Sequence, residues 1–230
     1  MTTPDDLRQY APATQRNREP ILDVLQRVLP PKGTILEISS GTGEHAVFFA
    51  PRLSPRKWLP SDPNPQARSS IAAWRASQPA DNLYPPLDID VCTPVWPVEQ
   101  GTSGEWLSEL DFQTSPIVAI ANINMIHISP WSACLGLIAG ASRILPPGGI
   151  LYLYGPFKRD GQHTAPSNAA FDESLQAANP DWGVRNLNDV VAAAQAQHLT
   201  LSDIYQMPAN NLSVVFQRQR AEGEEQQKNL

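Results

Sequence analysis

Between Thr34 and His45 the chain carries its densest chemistry: Thr34-Ile35-Leu36-Glu37-Ile38-Ser39-Ser40-Gly41-Thr42-Gly43-Glu44-His45, followed by the apolar run Ala46-Val47-Phe48-Phe49-Ala50. A short strand, a glycine turn and a helix in that order form the part of an open α/β sheet where a nucleotide-like ligand meets backbone amides. Gly41 and Gly43 suit a turn that needs φ > 0 and a close ligand approach. Glu37 precedes the turn. A carboxylate there would repel a pyrophosphate at the helix N-terminus and suits a cationic ligand without phosphate. S-adenosylmethionine, with its ammonium and sulfonium, has that character. Ser39, Thr42 and His45 lie in or beside the same loop, within reach of the same ligand.

Two further positions carry candidate chemistry. Asp62 follows the glycine turn by about 20 residues and closes the next strand, where a carboxylate accepts hydrogen bonds from ribose hydroxyls. A helix N-cap before Pro63 is the competing reading of Asp62. His127 follows an apolar strand and could take a proton near neutral pH, or be a structural histidine bonded to backbone. No Cys/His/Asp spacing suggests a metal site, and there is no Gly-x-Ser-x-Gly nucleophile or phosphate-binding Lys loop.

These residues need a scaffold, and hydrophobic periodicity supplies one. A helix is predicted over Thr14–Leu29, stopped by Pro30-Pro31. Strands follow at about 34–39, Lys57–Ser61, Leu83–Leu87, Ile117–Ala121 and Ile150–Tyr154. Between them lie helices at about 43–53, from Pro65 to about Ser77, and from Trp131 to Leu145. Residues 93–114 read as loop with a short helix near 104–110. A polar loop is expected over 155–166, then helices at about 167–178 and 186–197. Leu201–Tyr205 and Leu212–Phe216 read as a terminal antiparallel hairpin. Alternating βα units predict an α/β fold, a mostly parallel sheet with helices on both faces.

Bulk properties narrow the function. A chain of 230 residues suits one domain, with residues 1–33 as an N-terminal arm and lid helix and 217–230 as a frayed tail. The net charge of −6 and the lack of a basic stripe disfavour nucleic acid. No apolar run approaches a membrane span, and no signal peptide is read. With Cys92 and Cys134 as the only cysteines, a reduced cytoplasmic setting is expected. Oligomeric state is not readable.

In total the chain resembles the class I S-adenosylmethionine-dependent methyltransferases. More narrowly it is similar to a bacterial family described as a domain of unknown function, with a human methyltransferase-like relative. The narrow resemblance rests on Ala11-Pro12-Ala13-Thr14-Gln15-Arg16-Asn17, the segment from Leu36 to His45, Pro60-Ser61-Asp62, Leu87-Asp88-Ile89-Asp90, the segment from Asn122 to Trp131, Gly155-Pro156-Phe157, Ser167-Asn168, Phe171-Asp172 and the segment from Asn179 to Arg185. Ser39 stands where the general pattern has its first glycine. The resemblance implies a seven-stranded Rossmann-like sheet closed by the antiparallel hairpin, with S-adenosylmethionine as cofactor. It implies that the glycine loop holds the methionine part, that Asp88, with Asp90 as its rival, faces the adenine amino group between Leu87 and Ile89, and that Asn122 also touches the cofactor. Arg16, on a capping helix, would pair with the cofactor carboxylate. Methyl donor and acceptor would meet near His127. Trp131, Tyr154, Phe157, Asn168, Phe171 and Arg185 would line an acceptor pocket for a small molecule. Two rivals stand beside this reading. Gly41-x-Gly43-x-x-Ala46 with Asp62 also satisfies a loose nicotinamide-cofactor fingerprint, and a noncatalytic S-adenosylmethionine-binding regulator would need the same loop.

Overall fold

The computed structural model describes residues 6–99 and 111–220. The short helix expected near 104–110 lies outside the described residues. The chain runs α1 (Pro12–Val28), β1 (Thr34–Ile38), α2 (Glu44–Arg52), β2 (Lys57–Pro60), α3 (Pro65–Ser77), β3 (Ile117–Ile123), α4 (Trp131–Ile144) and β4 (Ile150–Gly155). It continues with β5 (Lys158–Arg159), β6 (Gln162–His163), α5 (Pro166–Ala178), α6 (Leu187–Gln195), β7 (Leu199–Met207) and β8 (Asn211–Arg218).

Six strands form the main sheet in the order β2-β1-β3-β4-β8-β7. The first four are mutually parallel, and β8 and β7 pair antiparallel at one edge. The α/β class and the terminal hairpin are as the sequence predicts; among the described residues the main sheet has six strands, not seven. The missing strand has a local cause. Leu83–Leu87 runs along the outer edge of β2, with single parallel bridges at Trp58 to Leu83 and Ser61 to Leu87. Between those bridges stand Pro85 and Pro86, which have no N–H to donate, so no continuous ladder forms. The expected polar loop over 155–166 instead contains the small β5–β6 hairpin.

Period-2 alternation sorts side chains to the two faces of the sheet. Leu36, Ile38, Ile120, Leu151, Leu153, Val214 and Phe216 pack with Leu137 and Ile138 of α4 and Val190 of α6. On the other face Ile35, Ala119, Ala121, Tyr152 and Val215 pack with Ile21 and Leu25 of α1, Phe49 of α2 and Trp74 of α3. The parallel strands are therefore buried on both sides, which is why their sequences read as nearly unbroken apolar runs.

Two terminal expectations need correction. Where a loose arm is expected before the first helix, residues 9–11 are docked. The Gln9 N–H donates to Ser70 Oγ at 2.7 Å, the Trp74 Nε1–H donates to the Gln9 carbonyl at 2.9 Å, and the Ala11 N–H donates to Glu44 Oε2 at 2.6 Å. Nor does the tail begin at Gln217, because β8 runs to Arg218 and the Gln219 N–H donates to the His198 carbonyl.

Candidate cofactor site at the strand ends

The glycine loop is bonded to the end of β2 by side chains that both elements supply. The Ser40 N–H donates to the Ser61 carbonyl at 2.8 Å, and the Ser61 N–H returns a bond to Ser40 Oγ at 3.2 Å. Ser61 Oγ donates to the Glu37 carbonyl at 2.7 Å. Asp62 completes the link. Its Oδ2 accepts from the Gly41 N–H at 3.0 Å and its Oδ1 from the Asn64 N–H at 2.9 Å. Asp62 is not the N-cap of α3; that role falls to Asn64, whose side chain accepts from the Gln66 N–H. Each Asp62 oxygen keeps a lone pair for a further donor.

The two glycines have different tasks. Gly43 has φ +88°, and a Cβ there would lie 2.8 Å from Ile71 Cα, so α2 and α3 approach too closely for any side chain. Gly41 has φ +57°, and a Cβ would meet nothing within 4 Å. Its turn therefore faces open space, where a ligand can lie against the backbone. Ser39, at the position of the first patterned glycine, also adopts a left-handed φ of +56°, which explains why glycine suits that place.

Asn122, at the end of β3, is 1% exposed. Its Nδ2 donates to the Ile38 carbonyl at 3.0 Å, while its Oδ1 is buried without a partner. An orphan buried acceptor costs about 1–3 kcal/mol. A ligand donor at the strand ends would remove that cost.

Other candidates fall differently. Glu37 is turned inward, where its Oε2 accepts from the Trp58 indole N–H at 3.0 Å. Burial raises its pKa to about 7 against the opposing hydrogen bonds from Trp58 and Ser40, and the Asp62 charge adds to the rise. Thr42 Oγ1 donates to Glu44 Oε2, the oxygen that also holds the arm at Ala11. His45 stacks on Phe49, and its Nε2 pairs with Asn17 Oδ1 at 2.8 Å. It is Asn17 of α1 that reaches inward; Arg16 is exposed. Leu87 and Ile89 are packed in the core, and Asp88 forms an ion pair with Arg68 at 3.0 Å. Sequence reading missed Arg68, which also donates to the Asp62 and Pro63 carbonyls and so braces the end of β2. It missed Ser70 as well, which joins the Thr42 carbonyl to the arm. Neither belongs to a recognisable motif.

His127 sits in a 3₁₀ turn after β3 and is fully buried. Its Nδ1 accepts from the Arg185 N–H at 3.3 Å, Phe157 packs edge-on at 5.0 Å, and its Nε2 is buried without a partner. That nitrogen faces Gly155, where a Cβ would lie only 2.5 Å away. Burial, with the Arg185 charge adding, lowers the His127 pKa to about 3. The expectation of a base titrating near pH 7 does not fit this environment, because the ring is both weakly basic and closed to water. Arg185 supports the same turn. Its Nε donates to the Ile126 carbonyl at 2.8 Å, and its Nη2 donates to the carbonyls of Ser129 and Asp181.

The remaining acceptor-pocket candidates scatter. Tyr154 and Phe157 are buried in the core. Asn168 ties α5 to the hairpin by donating to the Asn210 carbonyl, and Phe171 is exposed. Trp131 and Arg185 share a cleft of about 380 Å³ with Lys158 and Asn186. Beside that cleft, Lys158 and His163 both face the buried Asp172 carboxylate, at 2.7 and 3.2 Å.

A family model described as "Protein of unknown function (DUF938)" matches residues 8–218. The chain belongs to this family. The fold of this chain is similar to those of several solved structures. The chain is similar to the S-adenosylmethionine-dependent methyltransferase SibL in its apo form, with TM-score 0.67, 18% identity and coverage of 90% of this chain and 56% of that one. It is similar to an O-methyltransferase family protein from Burkholderia thailandensis, with TM-score 0.69, 13% identity and coverage of 91% and 58%. It is also similar to an O-methyltransferase family 2 protein from Planctomyces limnophilus in complex with apigenin, with TM-score 0.69, 17% identity and coverage of 90% and 57%. The DUF938 chain thus spans a little over half the length of each, and at these identities the likeness is one of fold. No helix among the described residues is long and apolar enough to cross a membrane.

Three buried titrating groups are expected to make stability depend on pH. His45 and His127 are both lowered from 6.5 to about 3, mainly by burial. A depressed folded pKa means that the unfolded chain binds protons first as pH falls. Their stabilisation is complete above about pH 6.5 and is lost toward pH 3, at up to ~1.4 kcal/mol per pH unit per group. Glu37 has the opposite sign. Raised from 4.5 to about 7, its contribution is complete below about 4.5 and is lost as pH rises toward 7. Two histidines outweigh one glutamate between these limits, so the melting temperature is expected to fall on acidification from pH 6.5 to 4.5. His45→Asn should flatten the slope. A melting temperature that stays level or rises over that range would contradict these environments.

Proposed function

We propose that the chain binds S-adenosylmethionine and transfers its methyl group to a small-molecule acceptor. The observation that carries this reading is the convergence of three strand ends: the open turn at Gly41, the Asp62 carboxylate bonded to it, and the orphan Asn122 Oδ1. These groups fit the cofactor. Asp62 would take ribose hydroxyls on its remaining lone pairs, and Asn122 would accept from a ligand N–H. The solved O-methyltransferase structures support the same chemistry through a shared fold. S-adenosylmethionine supplies an activated methyl group, so the protein contributes mainly position and exclusion of water. His127 serves in this reading as a positioning residue that, with Arg185, fixes the turn after β3.

Nicotinamide binding is the rival that the glycine spacing allows, and titration with each ligand separates the two. A regulator that only senses the cofactor is separated by turnover. Incubating the protein with methyl-labelled S-adenosylmethionine and a metabolite extract is expected to label a small molecule. Labelling that does not depend on the protein would count against transfer.

Asp62→Ala tests the binding half. It removes both the ribose acceptor and the partner of the Gly41 N–H, so affinity for S-adenosylhomocysteine should weaken by about 1–3 kcal/mol. Asp62→Asn retains one acceptor oxygen and should be milder. Equal affinity in all three proteins, measured by calorimetry, would remove Asp62 from the site.

A further inference from the structure

Away from the strand ends, a cavity of about 320 Å³ opens between α1, α2, α3 and the docked arm. Two guanidinium groups line it, each against the Phe48 ring. Arg18 Cζ lies 4.6 Å and Arg52 Cζ 3.9 Å from the centroid of the Phe48 ring. Among the described residues neither arginine forms an ion pair. Among the described residues Arg52 donates only to the Phe48 carbonyl, at 3.0 Å, and Arg18 Nε is buried without a partner. A buried guanidinium N–H left unpaired is costly. Aromatic surface completes the walls, from Phe48, Trp74 and Tyr10 of the arm. Two carboxylates also border the cavity. Glu44 is already engaged by the Ala11 N–H and the Thr42 hydroxyl, and Glu19 is exposed at the rim.

We propose that this cavity is a second binding site, distinct from the strand-end site, for a small aromatic carboxylate. The guanidinium fork matches carboxylate geometry and is the arrangement that discriminates a charged oxygen pair from a neutral amide. The rings of Phe48, Trp74 and Tyr10 add apolar wall for a small flat body beside the guanidinium groups, and the volume lies in the range of small-ligand pockets. The docked arm forms one wall, so the site exists only while residues 9–11 are bonded to Ser70, Trp74 and Glu44.

The test uses the full chain, with benzoate as the probe and benzamide as its neutral isostere, followed by NMR titration of backbone amides. Saturable shifts in α1, α2 and the arm with benzoate, and at least about tenfold weaker binding of benzamide, are expected from the loss of a charge-assisted pair. Arg18→Gln should weaken benzoate by a similar factor while leaving the fold intact. Saturating S-adenosylhomocysteine should not displace benzoate. Failure of benzoate to saturate, equal binding of benzamide, or displacement by S-adenosylhomocysteine would each overturn the proposal. Should Arg18→Gln fail to fold, the comparison of benzoate and benzamide on the unaltered chain decides.

Discussion

Gly43→Ala is expected to cost about 2–5 kcal/mol of stability and to abolish measurable cofactor binding. Gly43 is the N-cap of α2 at φ +88°, a conformation that an alanine adopts only under strain. The new Cβ would also stand 2.8 Å from Ile71 Cα. That neighbour is backbone in the middle of α3, so relief requires the two helices to part. The helices also carry the loop's braces, because Ser70 of α3 donates to the Thr42 carbonyl. Gly41→Ala is the informative partner. Its Cβ would enter open space, so the fold should lose only about 1 kcal/mol, while the methyl occupies room that a ligand needs. Chemical denaturation and calorimetry on both variants check this. If Gly41→Ala binds S-adenosylhomocysteine normally, the ligand does not lie against that turn.

Arg185→Met is expected to destabilise by about 2–4 kcal/mol, the scale for losing several hydrogen bonds from one charged donor. Arg185 donates to the carbonyls of Ile126, Ser129 and Asp181, and methionine leaves all three without that donor. The His127 turn should loosen with it, because its packing against Phe157 and Gly155 depends on the same position. Arg185→Lys retains charge but not the fork, so it should recover only part of the loss. Denaturation midpoints for the three proteins check this. A fully stable Arg185→Met protein would show that the guanidinium bonds are incidental, and Arg185 would return to the acceptor pocket as a candidate.

Local pattern and tertiary context divide what the sequence reveals. Strand periodicity places β1 to β4 and β8 because these strands are largely buried, and burial imposes apolar runs that can be read directly. The Leu83–Leu87 strand fails for a reason also visible in sequence, since Pro85 and Pro86 cannot donate. Glycine chemistry at Gly41 and Gly43 is legible because φ > 0 and close approach restrict the residue type. Side-chain direction is not legible. Nothing local separates an exposed Arg16 from a buried Asn17, or shows that Arg185 would turn back onto the 126–129 backbone. His127 illustrates the limit. Its position after a strand end suggests proton chemistry, and only three-dimensional packing against Gly155 and Phe157 reveals a closed, weakly basic ring. The docked arm is hidden for the same reason, since Gln9, Ser70 and Trp74 meet across more than 60 residues of chain.

Calorimetric titration of the full chain with S-adenosylhomocysteine, and separately with NAD, is the most direct measurement. Binding of S-adenosylhomocysteine with a Kd of about micromolar, and no detectable binding of NAD, is the expected result. Tighter binding of NAD, with none of S-adenosylhomocysteine, would contradict a methyl-donor site at the Gly41 turn.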